Sequence, residues 1–261
     1  MSVLTLTGAS GRLAGPLRPA LRAHADQVRL FDRVPVGDPR PGEVVIEGEL
    51  EDLDAVEAAV SGAEVIVHLG GKADEAPFPE ILSANVVGTY HVLEAAHRHG
   101  VRRVVYASSH HVTGFYQPDQ LVGIDSTVRP DSYYGVSKVV GESLGRLYHD
   151  KWGLEVVCLR IGVCREAPET SDQLRTWLSP ADSVQLVMAA VTAPLEHGYQ
   201  VVYGFSDNSR AFWSRDGAAA IGFEPGDSAD DHAEAFDVDA EFSHPHQGGA
   251  FAAPDYRGGI W

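Results

Sequence analysis

Cysteine and lysine are scarce in this chain, and long apolar runs are missing. Cys158 and Cys164 are the only cysteines among 261 residues. Two thiols in a chain this long make no disulfide framework, so both are expected reduced, in a cytoplasmic setting. No stretch approaches the ~18 consecutive apolar residues of a membrane span, which argues against a membrane partner. The opening Val3-Leu4-Thr5-Leu6-Thr7 reads as a strand rather than an export signal. The formal net charge of −17 excludes the basic face that a nucleic-acid backbone requires. His110-His111 has no third ligand near it in sequence, so no metal site is expected. Only Lys72, Lys138 and Lys151 supply lysine. A lysine at a position whose chemistry needs one therefore carries weight.

What is present is an alternation of strand and helix signals over the first ~160 residues. Strands are expected at 4–6, 28–32, 44–46, 64–69, 103–107 and 155–161. A helix should run to about Leu21, with Pro19 shortening or bending it. A long helix is expected from Ile81 to His99, and another from Ser132 to Trp152. Beyond Gly162 the alternation weakens: 176–191 reads as a helix, 200–203 as a short strand and 217–221 as a helical turn. The fold class is α/β, a doubly wound parallel sheet of Rossmann type with a small C-terminal substrate-binding region. The division is placed at 1–162 for the dinucleotide half and 163–261 for the substrate region and tail.

A glycine-rich turn, Thr7-Gly8-Ala9-Ser10-Gly11-Arg12-Leu13-Ala14, joins the first strand to the first helix. Glycines there let backbone N–H groups approach a pyrophosphate at the helix N-terminus, and an ordinary tight turn looks the same. Asp32 strengthens the cofactor reading. It ends the second strand, 24 residues after Gly8, where a carboxylate accepts from ribose hydroxyls and repels a 2′-phosphate. NAD is thus favoured over NADP, although neighbouring Arg33 is suited to receive such a phosphate. Glu49-Leu50 and Leu69-Gly70-Gly71 fall where adenine and the linking ribose would lie.

Tyr134-Gly135-Val136-Ser137-Lys138 is the decisive segment, because Tyr and Lys four apart share a helical face. An ammonium beside a phenol is expected to lower its pKa from ~10 toward neutrality. The phenolate then takes a hydroxyl proton as hydride leaves the same carbon for nicotinamide. Tyr133 is the wrong neighbour, since its i+4 residue is Ser137. Ser109, at the end of the fifth strand, is placed to hydrogen-bond the reacting oxygen. Asn85 either braces this site or is a helix-packing amide. His110 and His111 line the substrate pocket or cap the loop.

The chain resembles the uronate dehydrogenases, compact extended short-chain dehydrogenases. His68-Leu69-Gly70-Gly71, Asn85-x-x-Gly88, Ala107-Ser108-Ser109-x-His111, Arg129-Pro130-Asp131 and Tyr134-Gly135-x-Ser137-Lys138 carry the likeness. Arg160-Ile161-Gly162-x-Cys164, Thr176-Trp177-x-Ser179 and Gln247-Gly248-Gly249-x-Phe251 extend it to the tail. It implies oxidation of a hexuronate at its anomeric carbon by NAD, giving a lactone. Tyr134 would be the base, Lys138 its partner and cofactor anchor, Ser109 the oxygen-positioning hydroxyl, and His111 a substrate contact, with Ile161 beside the cofactor. The pocket departs from the family pattern at His110, Ala73, Val163 and Asp172. Asp172 stands where an arginine should pair with the uronate carboxylate, so Arg165 or Arg175 is expected to substitute. Another aldose (glucose 6-phosphate, a sulfonated glucose or a neutral aldohexose) is the alternative substrate. A nucleotide-sugar epimerase shares the fold and the Tyr-Lys pair, but normally needs more than the 100 residues that follow Ile161. A non-catalytic NAD-sensing protein would not require Ser109, Tyr134 and Lys138. The outer faces of helices 86–93 and 139–147 suit a homo-oligomer, although core burial explains the same residues.

Overall fold

The computed structural model describes residues 2–194, 198–237 and 240–259. Seven parallel strands form one sheet in the order β3-β2-β1-β4-β5-β6-β9. These are β1 (Val3–Thr7), β2 (Gln27–Asp32), β3 (Glu43–Glu47), β4 (Val65–His68), β5 (Arg103–Ser109), β6 (Glu155–Ile161) and β9 (Tyr199–Gly204). β7 (Val163–Cys164) and β8 (Trp177–Leu178) make a separate two-stranded parallel ribbon. Strands β1, β4 and β5 are buried along their whole lengths, as expected of strands covered on both faces. The order reverses beside β1, and a ligand crevice opens there at the carboxyl ends of the strands.

Helices α1 (Ala14–His24), α7 (Pro180–Thr192) and α8 (Asp216–Ile221) share one apolar core with β1. On the other face lie α2 (Leu53–Val60), α4 (Gly88–Arg98) and α5 (Tyr133–Trp152). α1 passes through Pro19 to His24 rather than stopping near Leu21, and Leu17 and Leu21, on either side of the proline, are both wholly buried in the core. The chain after Gly162 also finishes the sheet, since β9 pairs with β6 and α7 packs in the core.

Two helices differ from the sequence expectation for physical reasons. The helix expected from Ile81 is three joined pieces: α3 (Phe78–Ile81), a π-helical stretch Leu82–Val87, and α4. Close packing explains the widened turn, for a Cβ on Gly88 would lie 2.8 Å from Leu50 Cβ. The helix expected from Thr176 instead starts at Pro180. Ser179 precedes a proline and is extended, and its Oγ accepts from Asp182 N at 2.9 Å. Before it, α6 (Gln173–Thr176) leads straight into β8. No helix among the described residues is long and apolar enough to cross a membrane.

α5 lies close on the sheet because its inner face carries glycines. A Cβ at Gly141 would overlap the Tyr106 hydroxyl, and one at Gly145 would come within 2.9 Å of Val156. Ser132 caps its start by accepting from Gly135 N at 3.0 Å, and Gly153, with φ +72°, ends it. Between them Glu142 makes a buried bidentate pair with Arg160 of β6, at 2.9 and 2.8 Å, and accepts from Ser108 Oγ at 2.7 Å. Removing one member of a buried pair leaves an uncompensated charge. Glu142→Ala is expected to cost about 3–5 kcal/mol in urea unfolding, and Glu142→Met with Arg160→Met to recover most of that loss.

Candidate active site

Two cavities meet at the carboxyl end of the sheet. The first, about 660 Å³, is walled by the glycine-rich turn and the ends of β2, β3 and β4. Gly8, Ser10, Gly11, Arg12, Leu13, Asp32, Arg33, Glu49, Leu50, Leu69, Gly70 and Gly71 all line it. Gly8 has φ +70°, and a Cβ there would fall 2.7 Å from Gly70 N, so the two turns are stacked backbone on backbone. Asp32 holds the turn from the side: Ser10 N and Oγ donate to its Oδ2 at 3.0 and 2.7 Å, and Val34 N donates to Oδ1 at 3.1 Å. A long cleft with glycine walls at one end and a carboxylate at the edge of β2 fits a dinucleotide.

The second cavity, about 500 Å³, is lined by Ala73, Ser109, His110, His111, Tyr134, Lys138, Ile161, Val163, Arg165 and Asp172, among others. Arg12, Leu13, Leu69, Gly71, Lys72 and Ala73 belong to both cavities. The tail closes the outer side with Phe242, His244, Gln247 and Phe251. It is fastened there by Gln247 N to Tyr116 O and Gly248 N to Gly114 O, both at 2.8 Å. Tyr256 Oη also donates to Asp74 Oδ1 at 2.6 Å.

Tyr134 and Lys138 face inward from the first two turns of α5, and both are buried. Ser109 stands near enough to the Tyr134 phenol to favour its ionised form, and its Oγ accepts from His111 N at 3.2 Å. Lys138 Nζ donates to Ala107 O at 2.8 Å and lies 5.1 and 5.4 Å from the Tyr106 and Tyr134 ring centroids. The electrostatics correct the expectation of a phenol near neutrality. Burial pushes Tyr134 up to about 12, with Asp131 and Asp74 adding repulsion against the lowering by Ser109. Burial brings Lys138 down to about 8. In the unliganded protein desolvation is thus the largest influence on both groups. His68, beneath the site, is held neutral by burial and by Lys138, its pKa brought down to about 3. It bridges Thr7 Oγ1 and Thr89 Oγ1 at 2.7 and 3.1 Å.

Two sequence-selected residues, Asn85 and Arg175, lie off the cavity walls. Asn85 stands behind the wall rather than in it. Its Oδ1 accepts from Lys72 N at 2.7 Å, and its Nδ2 donates to Lys72 O and Ser137 Oγ at 3.0 and 3.1 Å. It clamps the turn after Gly71 to α5, so the bracing alternative describes its contacts. Arg175 points away from the cavity and donates to Ala240 O at 3.2 Å, with Phe242 under its guanidinium. α6 turns it toward the tail, which leaves Arg165 as the arginine of that loop on the cavity wall. Asp172 does face the cavity, and its Oδ1 accepts from Ser243 N at 2.9 Å. His110 is held by its Nδ1 contact to Ile161 O at 3.0 Å, and burial and His111 keep its pKa well down. Sequence reasoning missed Asp131 and Phe251 as site residues. Asp131 reads as a loop acid before a helix cap, and Phe251 is brought in only by the folding back of the tail.

The family model described as NAD dependent epimerase/dehydratase family matches residues 4–164. A uronate dehydrogenase of Pseudomonas putida is 41% identical over 255 residues, covering 95% of each chain. An NAD-dependent glucose-6-phosphate dehydrogenase of Haloferax volcanii is 35% identical over 249 residues, covering 86% of this chain and 93% of the relative. Among solved structures, a mutant uronate dehydrogenase from Agrobacterium tumefaciens complexed with NAD superposes with a TM-score of 0.91. It is 38% identical, and 98% of this chain and 99% of that one are covered. Likeness along almost the whole length, in sequence and in fold, means that the chain belongs to the NAD dependent epimerase/dehydratase family and, within it, to the uronate dehydrogenases.

Proposed function

We propose that this protein is an NAD-dependent dehydrogenase that oxidises the anomeric carbon of a hexuronate to a lactone. The observation that carries the reading is the convergence of Ser109, Tyr134 and Lys138 on the second cavity, beside the residues it shares with the cleft that Asp32 closes. Bound NAD supplies the hydride acceptor and a positively charged ring. The Asp32 carboxylate would take the adenosine ribose and disfavour a 2′-phosphate, and the Gly8–Leu13 turn would take the pyrophosphate. Ser109 would hydrogen-bond the anomeric oxygen, and Tyr134, once its own proton has passed to solvent and it stands as the phenolate beside Lys138 and the positive ring, would take the hydroxyl proton on Oη while the C–H hydride leaves for the cofactor and the carbonyl forms. Lys138, in no ion pair among the described residues, would stabilise the phenolate by its charge.

Four cations line the second cavity among the described residues, namely Arg12, Lys72, Lys138 and Arg165. Arg12 and Lys72 also line the cofactor cleft, and Lys138 sits at the reacting end. Arg165 is therefore the group we assign to the uronate carboxylate, exchanging its 2.7 Å contact with Glu169 for the substrate. Asp172 favours a second reading, oxidation of another aldose, since it is the one carboxylate on this wall among the described residues. We read residues 1–162 as the cofactor half and 163–261 as the part that walls the sugar site. A cytoplasmic setting, supported by the free thiols of Cys158 and Cys164, belongs to the same reading. So does a homo-oligomer formed through the outer faces of 86–93 and 139–147, where Tyr90 and Leu147 are exposed.

NADH formation should be seen with galacturonate or glucuronate, and Tyr134→Phe should lower it by roughly 10²–10⁴-fold, the usual scale of general base catalysis. Turnover that survives this change would remove Tyr134 from the reaction. Arg165→Gln should raise KM for uronates by roughly 10–100-fold, matching the ~1.5–3 kcal/mol of a hydrogen bond to a charged group, and leave neutral aldoses unchanged. With only three lysines, labelled-lysine NMR resolves each one, and Lys138 should titrate at about 8 in the unliganded protein. Because this folded-state value lies below the ordinary 10.5, the unfolded chain binds the extra proton between the two. Stability should therefore rise with pH through that window, until Tyr134, shifted up from 10.0, opposes it at higher pH.

A further inference from the structure

His111, on the wall of the second cavity, is paired behind that wall with a buried carboxylate that the proposed hydride transfer leaves unused. Asp131, in the loop before α5, has a fully buried side chain. Its Oδ2 lies 2.7 Å from His111 Nδ1, and its Oδ1 accepts from Ser132 Oγ at 2.8 Å. The surrounding backbone is shaped to it: a Cβ on Gly114 or Gly248 would overlap the carboxylate, and one on Gly135 would come within 3.2 Å of Oδ1. Three segments thus close on a single acid: the turn after β5, the first turn of α5, and the tail.

A carboxylate only accepts hydrogen bonds, so the ring nitrogen facing it carries the hydrogen. On a neutral imidazole the other nitrogen is then an acceptor. His111 Nε2 makes no hydrogen bond with the described residues and is not sealed inside protein. The ring lines the cavity, with Phe251 stacked on it at 3.8 Å and the Tyr134 ring 5.8 Å away, edge to face. The imidazole is fixed in plane by the stack and in tautomer by the acid.

We propose that Asp131 is a positioning residue, locking His111 as the Nδ1–H tautomer so that Nε2 accepts one hydroxyl of the sugar. The inference rests on the reading of this cavity as a sugar site. A pocket built to bond a hydroxyl strongly rejects the analogue that lacks it, because its own polar group is then left unpaired. His111 and Asp131 accordingly make the enzyme demand a hydroxyl at one sugar position.

The test is the ¹⁵N spectrum of the histidine-labelled full chain with NAD bound, at roughly pH 8, above the ordinary imidazole range. His111→Gln assigns the resonance. Nδ1 bearing hydrogen with Nε2 bare is the expected result, and hydrogen on Nε2, alone or on both nitrogens, overturns the proposal. A kinetic arm follows with Asp131→Asn and a set of monodeoxy sugars. Asp131→Asn should lower kcat/KM for the parent sugar by roughly 10–100-fold, the scale seen when a carboxylate that orients a histidine is lost. It should spare KM for NAD, and it should have no effect on the one deoxy sugar that lacks the contacted hydroxyl. Equal losses on every deoxy sugar, or a raised KM for NAD, would make Asp131 merely structural and overturn the proposal. The expected tautomer in a protein that oxidises no sugar would instead overturn the reading of the cavity, and the hydroxyl contact with it.

Discussion

A lysine ammonium held away from water, in no ion pair with a carboxylate among the described residues, is the constraint around which this site is built. Lys138 is 5% exposed, donates to Ala107 O, and lies against two phenol rings. Desolvation alone accounts for the drop of its pKa to about 8. Its charge has no ion-pair partner among the described residues, so a phenolate forming at Tyr134 gains most from it. The surroundings enforce this. Gly141 lets α5 come down onto the Tyr106 ring, and His68 stays neutral beneath, so no second cation competes there.

That arrangement sets the division of labour between the cavities. The protein carries a net charge of −17, yet the walls of the two clefts bring Arg12, Lys72, Lys138 and Arg165 together. A general acidity keeps the molecule apart from polyanions, while a local cluster of cations receives small anionic ligands. Glycines where the turns after β1 and β4 touch make the cofactor cleft, and the tail, fastened through Gln247 and Gly248, makes the outer wall of the other cavity.

Much of this was legible in the sequence because the signals were local. Strand–helix alternation is a matter of spacing, and the reversal of strand order beside β1 places the crevice once the sheet is known to be parallel. The Tyr134–Lys138 pair is one helical turn, and Asp32 is a strand end, so both could be located without tertiary knowledge. What failed depended on contacts distant in sequence. Arg175 and Arg165 are equivalent on paper, and only the short α6 turns one toward Ala240 and leaves the other on the wall. Asn85 had two readings until the π-helical stretch set it against Lys72 and Ser137. The phenol pKa was misjudged because pairing with a lysine is visible in a motif, and burial is not. Asp131 stands in the Arg129-Pro130-Asp131 motif, but its pairing with His111 and its closure by Gly248 depend on other segments of the chain.

The central claim is that hydride leaves the anomeric carbon of a sugar acid beside Tyr134. Turnover of galacturonate deuterated at that carbon, with the reduced cofactor then analysed by mass spectrometry, tests it most directly. Deuterium carried wholly into the reduced cofactor is the predicted result. Reduced cofactor without deuterium, or no reduction of NAD at all, would contradict the account.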